Sequence, residues 1–174
     1  KGKSIRKRDK SVYSRAEAGH WEADSVVSGL GKSKACFATF AERKTRYYIA
    51  VKMPDRTAAT MERTIEAVLS AFPPELVKTI TCDRGTEFAN WRSIEQTLGC
   101  DVYFADPYCA WQKGTNENLN GLLREFYPKG RNLSRVSPAT LKRNLALLNA
   151  RPRKVLSFCS PQSLWERELL KCCT

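Results

Sequence analysis

The sequence predicts an α/β domain, in which helices flank a mixed β-sheet and further helices follow at the C-terminal end. Residues 20 to 53 are rich in β-branched and aromatic residues with period-two alternation, which indicates three consecutive strands. Beyond residue 55, amphipathic helical patterns alternate with short apolar runs. Strands that alternate with helices favour a sheet covered by helices on its faces.

The first strand is predicted in "GHWEADSVV", where alternation places Glu22 and Asp24 on one face and Trp21 and Ala23 on the other. The next two segments, "ACFATFAE" and "TRYYIAVKM", are predicted to form a hairpin, because both are rich in strand-forming residues and only a short charged link separates them.

Helices and strands alternate after this hairpin. A helix is predicted within "DRTAATMERTIEAVLSAF", because Asp55 or Thr57 can cap its first turn and Pro73 follows its apolar stripe. The remaining predicted elements are a strand in "LVKTITCD", a helix in "GTEFANWRSIEQTLG" that ends at Gly99, a strand in "CDVYFAD", a helix that starts in "WQKGTNENLNGLL" and ends before Pro128, and helices in "SPATLKRNLALLN" and "SPQSLWERELLK". Each of the last two opens with Ser-Pro, which suits an N-cap followed by a first helical turn.

The chain is strongly basic, with 30 lysines and arginines, 18 aspartates and glutamates, and a formal charge of +12. A solubilising surface is one explanation of this excess. Clustering in "KGKSIRKRDK" and "RPRK" favours the other, a polyanionic partner such as nucleic acid. Residues 1–17 show little apolar periodicity, so we expect them to form a basic linker or arm.

Composition also argues against several classes of protein. No apolar run approaches the roughly 18 residues that a membrane span needs, so no membrane association is expected. Seven cysteines occur without a Cys-x-x-Cys pair and the chain has one histidine, which argues against a zinc site. We expect reduced thiols, most of them in the core, in a cytoplasmic protein without a small-molecule substrate.

Three acidic residues occupy positions that ordinary surface charge does not explain. Asp24 lies within an apolar strand, Asp83 ends another strand, and Glu117 opens a helix directly after a basic, aromatic loop. The apolar stripe of that helix faces the core, and its opposite face carries a carboxylate, an amide, a glycine and a guanidinium, from Glu117, Asn120, Gly121 and Arg124. Taken alone, Glu117 would be explained by the favourable electrostatics of an acid at a helix N-terminus.

The three acids together favour a catalytic site. An α/β sheet brings strand ends and the following helix N-terminus to one edge, and carboxylates gathered there repel unless cations lie between them. All-oxygen ligands suit Mg²⁺ or Mn²⁺. Two such ions, roughly 3.5–4 Å apart, can activate a water or a 3′-hydroxyl and stabilise the leaving oxygen. In a basic protein, the expected substrate is a nucleic-acid phosphodiester.

The segments that contain these acids match a known family. They are "GHWEAD", "ERKTRY", "TCDRGTEF", "DPYCAWQKGTNENLNGLLREFYPKG" and "LNARPRKVLSF" with "SPQSLW". The chain resembles, from about residue 18 to 167, the retroviral-integrase-like transposases of bacterial insertion sequences, and within them the insertion-sequence-thirty subgroup. The 33 residues between Asp83 and Glu117 are a spacing that this subgroup shares.

The resemblance implies a ribonuclease-H-like fold, with a five-stranded mixed sheet whose first three strands are antiparallel. The expected units are an arm at 1–17, a catalytic core at 18–130 and a helical extension packed on it at 131–174. The resemblance also implies that Asp24, Asp83 and Glu117 are catalytic and bind two Mg²⁺ or Mn²⁺ ions. The implied reaction is hydrolysis at transposon ends, followed by attack of the 3′-hydroxyls on target DNA. The implied partners are both DNAs and further copies of the chain, at least a dimer, at the bacterial nucleoid.

Residues around the acids are candidates for supporting roles. Lys113 and Arg124 are predicted to contact phosphates. Asn116 and Asn120 are predicted to donate hydrogen bonds to phosphate or sugar oxygens. Trp111 and Tyr108 are predicted to stack on bases. Core packing is an equal alternative for Trp111. We expect His20 to pack or to hydrogen bond rather than to bind metal, Glu87 to lie at the edge of the site, and Glu22 to share the Asp24 face.

Two other functions stay open at this point. One is a non-catalytic or domesticated DNA-binding remnant of a transposase, against which the intact acids argue. The other is a nonspecific nuclease of the same fold, which would hydrolyse DNA but never join a 3′-end to a target.

Overall fold

A computed structural model of the protein describes residues 2–107 and 109–173. Its strands are β1 (Lys3–Ser4), β2 (His20–Val27), β3 (Cys36–Glu42), β4 (Tyr48–Met53), β5 (Thr79–Cys82) and β6 (Asp101–Phe104), and they form one sheet in the order β1-β6-β5-β2-β3-β4. The strands β2, β3 and β4 are antiparallel, whereas β5 runs parallel to β2 and β6 parallel to β5. This is the predicted mixed sheet, extended by a short sixth strand.

The helices are α1 (Ser11–Ser14), α2 (Ala58–Leu69), α3 (Trp91–Leu98), α4 (Gly114–Phe126), α5 (Pro138–Ala150) and α6 (Pro161–Lys171). Four of the helices, α2, α4, α5 and α6, lie where the sequence signals indicate, whereas α1 was not predicted and α3 begins later than predicted, at Trp91. Thr57, Ser137 and Ser160 cap α2, α5 and α6, each by accepting a hydrogen bond from a backbone N–H in the first turn. Gly99 ends α3 with a φ of 64°, a conformation that glycine adopts without a steric penalty.

Helices cover both faces of the sheet. Even-numbered residues of β3, such as Phe40, pack with apolar residues of α2, α3 and α6. Odd-numbered residues, such as Phe37, pack with α4 and α5. The alternation of β3 therefore separates two cores, and α4 crosses the face of the sheet that carries Glu22 and Asp24.

The N-terminal segment differs from the predicted arm, because it packs on the edge of the sheet. β1 pairs with β6 in parallel, Ile5 and Val12 are buried, and the Arg8 guanidinium donates a hydrogen bond of 2.8 Å to Thr81 Oγ1. Strand β6 offers unpaired backbone groups that a few residues can satisfy without any sequence periodicity. The domain boundaries at residues 17 and 130 stay predictions.

Ile5→Ala is expected to lower the free energy of unfolding by about 2–4 kcal/mol, because the side chain is 1% exposed and its removal leaves a cavity. Lys7→Ala, at an exposed position in the same segment, is the control and should change stability by less than about 0.5 kcal/mol. Urea denaturation measures both. Equal stability of the two variants would show that residues 1–10 do not pack on the sheet in solution and instead form an unpacked arm.

All seven cysteines are unpaired thiols, as predicted. Three of them, Cys36, Cys82 and Cys100, are buried in the core, so core packing accounts for fewer of the cysteines than expected. Within the part of the chain that the structure describes, no helix is long and apolar enough to cross a membrane.

Candidate active site

The three predicted acids come from three separate elements and line one cleft. Asp24 lies on β2 and Asp83 directly follows β5, and the pairing of Glu22 with Thr81 in these neighbouring parallel strands places the two aspartates in the same register. Glu117 lies in the first turns of α4. The cleft between them has a volume of about 350 Å³. Side chains distant in sequence therefore face the same space.

A lysine lies between the two aspartates. The Lys113 ammonium is 3.4 Å from Asp24 Oδ2 and 3.2 Å from Asp83 Oδ2, and the residue is 6% exposed. The other oxygen of each aspartate accepts a backbone hydrogen bond of 2.8 Å, from the N–H of Ser25 to Asp24 and from the N–H of Gly85 to Asp83. The aspartates are thus fixed by backbone donors on one side and by a cation on the other.

Burial and charge act on these groups in opposite directions. Burial raises the pKa of the Asp24 carboxyl; the Lys113 ammonium opposes that rise and the Asp83 carboxylate adds to it. Burial lowers the pKa of Lys113, but Asp24 and Asp83 together outweigh that effect and hold this pKa above its usual value. The ammonium therefore remains charged and compensates the two carboxylates.

Glu117 is exposed at the rim of the same cleft. Among residues 2–107 and 109–173, no three carboxyl, imidazole or thiol groups lie close enough together to hold a metal ion. The acids are gathered in one cleft with Lys113 between two of them, rather than around a preformed cation site.

The structure corrects the predicted DNA contacts of the two asparagines. Asn116 has no exposed surface. Its backbone N–H donates to Glu22 Oε2, and its side-chain amide donates to the backbone carbonyl oxygens of Glu22 and Thr39. Asn120 donates to Asp24 Oδ2 at 3.3 Å and accepts from the Tyr48 hydroxyl at 2.6 Å. The prediction that Asn116 contacts DNA is wrong, and Asn120 is directed at Asp24 instead of at solvent.

The basic and aromatic candidates have different outcomes. The Lys113 ammonium is directed at the aspartates, so it does not offer a free cation to a phosphate. The Arg124 guanidinium donates to the carbonyl oxygens of Val27 and Tyr127, which leaves its charge without an acidic partner among the described residues, and its phosphate contact stays a prediction. Trp111 is 73% exposed, which excludes core packing for it. Tyr108, the other stacking candidate, lies outside the described residues.

The neighbouring residues play structural parts. Glu22 is buried and forms an ion pair with Arg43, so it is neutralised away from the cleft. His20 bonds Thr79 Oγ1 at 2.9 Å, as expected for a packing residue. Glu87 is also buried and accepts a hydrogen bond of 2.9 Å from Ser25 Oγ, next to Asp24.

Two charged residues of the cleft were missed by sequence reasoning. Arg84 and Asp106 line it, and Asp106 accepts a hydrogen bond of 3.0 Å from the side chain of Arg6. Arg84 directly follows Asp83, which is a signal that sequence alone offered. The contact between Arg6 and Asp106 depends on the packed N-terminal segment, so no sequence pattern could have indicated it.

Comparison with known proteins gives a consistent family. The integrase core domain matches residues 14–110, which is more than half of the chain. The chain is 38% identical to a probable transposase for insertion-like sequence element IS1161 of Streptococcus salivarius, over 95% of this chain and 46% of that protein. It is 39% identical to the transposase InsI for insertion sequence element IS30A of Escherichia coli (strain K12), over 95% of this chain and 43% of that protein. The chain therefore spans less than half of the length of these relatives.

A solved structure gives the same fold. The catalytic core domain of BIV integrase superposes with a TM-score of 0.68 at 17% sequence identity, over 90% of this chain and 99% of that one. This similarity confirms the predicted retroviral-integrase-like, ribonuclease-H-like fold.

Proposed function

We propose, from the premise that the chain belongs to the integrase core domain family, that it is the catalytic core of a DNA transposase. The proposed reaction is metal-dependent hydrolysis of a DNA phosphodiester, followed by transfer of the 3′-hydroxyl to target DNA. The observation that carries the proposal is the convergence of Asp24, Asp83 and Glu117 on one cleft of a strongly basic protein. The family and its relatives support the same activity.

The donor set of the cleft fits a hard divalent cation. Its ligands would be the oxygens of Asp24 and Asp83, with Glu117 as the third ligand, which the proposal requires to approach the aspartates on metal binding. The position of the Lys113 ammonium supports this fit, because it is a cation already held within 3.4 Å of both aspartates. When bound, Mg²⁺ or Mn²⁺ ions supply Lewis-acid stabilisation of charge at the phosphodiester.

The chain itself orients Asp24. The Tyr48 hydroxyl donates to Asn120, whose amide donates to Asp24. Burial raises the pKa of Tyr48, so that this hydroxyl keeps its proton and remains a donor. The backbone N–H of Ser25 fixes the other carboxylate oxygen. In the proposal this chain of contacts holds Asp24 facing the cleft, and the exposed Trp111 ring stacks on a base beside it.

The proposal is tested with labelled duplex DNA in the presence of Mn²⁺ or of EDTA. We expect cleavage that requires Mn²⁺, and joined products when an oligonucleotide with a free 3′-hydroxyl is incubated with a supercoiled plasmid. Cleavage without any joined product would favour a nonspecific nuclease. Absence of both activities over a full range of Mn²⁺ concentrations would contradict catalysis and favour a DNA-binding remnant.

Lys113→Met is expected to tighten Mn²⁺ binding roughly tenfold, because a metal ion then no longer displaces a buried ammonium from the two carboxylates. Titration calorimetry measures the affinity directly, without any need for activity. Lys7→Met, which removes the same charge at an exposed position, is the control. Weaker Mn²⁺ binding by Lys113→Met than by the control would contradict the proposed exchange of ammonium for metal.

Two further parts of the proposal concern partners. We propose that the DNA substrates are transposon ends and a target, and that the chain acts as a homo-oligomer on them. The subunit number is measured by light scattering of the protein with and without duplex DNA.

A further inference from the structure

A second cleft lies beside the cleft lined by Asp24, Asp83 and Glu117, which we call the acidic cleft, and the charge of the second cleft has the opposite sign. It has a volume of about 340 Å³, and we call it the arginine cleft after three of its lining residues, Arg15, Arg46 and Arg153. The first turns of α4 form another wall, which includes Thr115 and Asn118. The arginines come from the N-terminal segment, from the turn between β3 and β4, and from the segment after α5, so only the tertiary structure brings them together.

Carboxylates act on two of the three arginines, and only from beyond ion-pair distance: Glu22 and Glu42 on Arg15, and Glu125 on Arg153. Among the described residues, none of the three arginines forms an ion pair with Asp or Glu. Arg15 makes no hydrogen bond through its side chain there. Arg46 uses only Nη1, which donates to the Arg43 carbonyl oxygen and to Thr115 Oγ1 at 2.8 and 2.9 Å. Arg153 donates from Nη2 to the Leu148 carbonyl oxygen, and its Nε is buried without a hydrogen-bond partner. Each guanidinium therefore retains donors for a ligand.

The arginine cleft is an unfavourable place for cations alone. All three arginines are half-buried. Burial and the neighbouring Arg43 lower the pKa of Arg15, and together they outweigh the opposing effect of Glu22 and Glu42. Burial and Arg151 likewise lower the pKa of Arg153 against the opposing effect of Glu125. The N-terminus of α4, a helix of 13 residues, adds partial positive charge to the same wall. A bound anion would relieve this repulsion and would satisfy the unused donors.

The ligand chemistry follows from the donors. Guanidinium groups bind phosphate oxygens through paired, charge-assisted hydrogen bonds, and helix N-termini favour the same anions. The neighbouring residues Glu117 and Asn118 line the acidic cleft and the arginine cleft respectively, so one strand of nucleic acid can reach both.

We propose that the arginine cleft binds a backbone phosphate of the DNA whose neighbouring phosphodiester lies at the acidic cleft. This inference rests on the proposed function, because it takes DNA as the substrate. It assigns DNA contacts to Arg15, Arg46 and Arg153.

The test is binding of a fluorescent 20-base-pair duplex, measured by anisotropy at several salt concentrations in EDTA. Arg15→Gln is the chosen variant, because the Arg15 side chain makes no hydrogen bond that folding requires. We expect its affinity to fall about fivefold to tenfold near 0.1 M salt, and the slope of log affinity against log salt to fall by about 1, as for loss of one phosphate contact. Arg15→Lys should recover most of the slope, because the charge is kept.

Arg63→Gln is the matched control, because it makes the same charge change at an exposed position of α2, on the opposite face of the sheet. Identical affinities and slopes for Arg15→Gln and Arg63→Gln would overturn the proposal. Titration with inorganic phosphate provides the second arm. If Arg15→Gln weakens phosphate binding but binds DNA as Arg63→Gln does, the cleft holds a free anion and the DNA assignment is wrong. Because EDTA removes divalent metal, a failure of the catalytic proposal would leave this binding result unaffected.

Discussion

Asp83→Asn and Glu117→Gln are each expected to reduce Mn²⁺-dependent cleavage of labelled duplex DNA by about 10³-fold, which corresponds to about 4 kcal/mol of transition-state stabilisation. Each substitution removes one anionic oxygen donor from the acidic cleft and keeps the shape of the side chain. In Asp83→Asn the Lys113 ammonium also loses one of its two carboxylates, so the cleft becomes more positive and takes up divalent metal less readily.

The control for this prediction is Glu125→Gln. Glu125 is an exposed acid on the same helix as Glu117, and it does not line the acidic cleft. Its substitution should leave cleavage within about twofold of the unmodified chain, on the general expectation for surface changes. Circular dichroism shows whether all three variants are folded. Full activity of both Asp83→Asn and Glu117→Gln would show that the site assignment is wrong.

Arg43→Met is expected to lower the free energy of unfolding by about 3–5 kcal/mol and the melting temperature by about 10 °C. Glu22 has no exposed surface, and Arg43, 4% exposed, is the cation paired with it. The substitution would leave the Glu22 carboxylate buried with the backbone N–H of Asn116 as its remaining hydrogen-bond donor. Arg8 and Arg15 act on Glu22 only from beyond ion-pair distance, and loss of the paired cation of a buried carboxylate is among the most destabilising changes that one mutation can make.

The double variant Glu22→Gln with Arg43→Met separates the ion pair from other effects of the arginine. It removes both charges, so we expect it to be more stable than Arg43→Met alone. Arg167→Met, at an exposed position on α6, should change stability by less than about 0.5 kcal/mol. Thermal melting followed by circular dichroism measures all three. A melting temperature of Arg43→Met equal to that of Arg167→Met would contradict a structural role for the ion pair.

Strand β2 supplies two acids with different roles, Glu22 in a buried ion pair and Asp24 in the acidic cleft. Glu22 and Asp24 share a face of β2, and alternation alone cannot separate their roles. The structure separates them through their neighbours: Glu22 meets Arg43 and Asn116, whereas Asp24 meets Asn120 and the Lys113 ammonium. Glu22, which the sequence places on the same face as Asp24, is therefore neutralised by Arg43 and does not line the acidic cleft.

The sequence by itself determined the elements from β2 onward and the positions of the three acids relative to them. Local signals were sufficient for this, since the caps at Thr57, Ser137 and Ser160 and the stop at Gly99 depend on residues within a few positions of each other. The order of strands and helices also predicted the mixed sheet. Each of these inferences needs only periodicity or neighbouring residues along the chain.

Only the tertiary structure decided which side chains meet. The insertion of Lys113 between Asp24 and Asp83, the burial of Asn116 and the convergence of Arg15, Arg46 and Arg153 all join residues that are distant in sequence. The packing of the N-terminal segment on β6 belongs with them, because an exposed strand edge can recruit a segment through backbone hydrogen bonds that leave no pattern in its side chains. Sequence periodicity assigns a residue to a face, whereas the partners on that face depend on the complete fold.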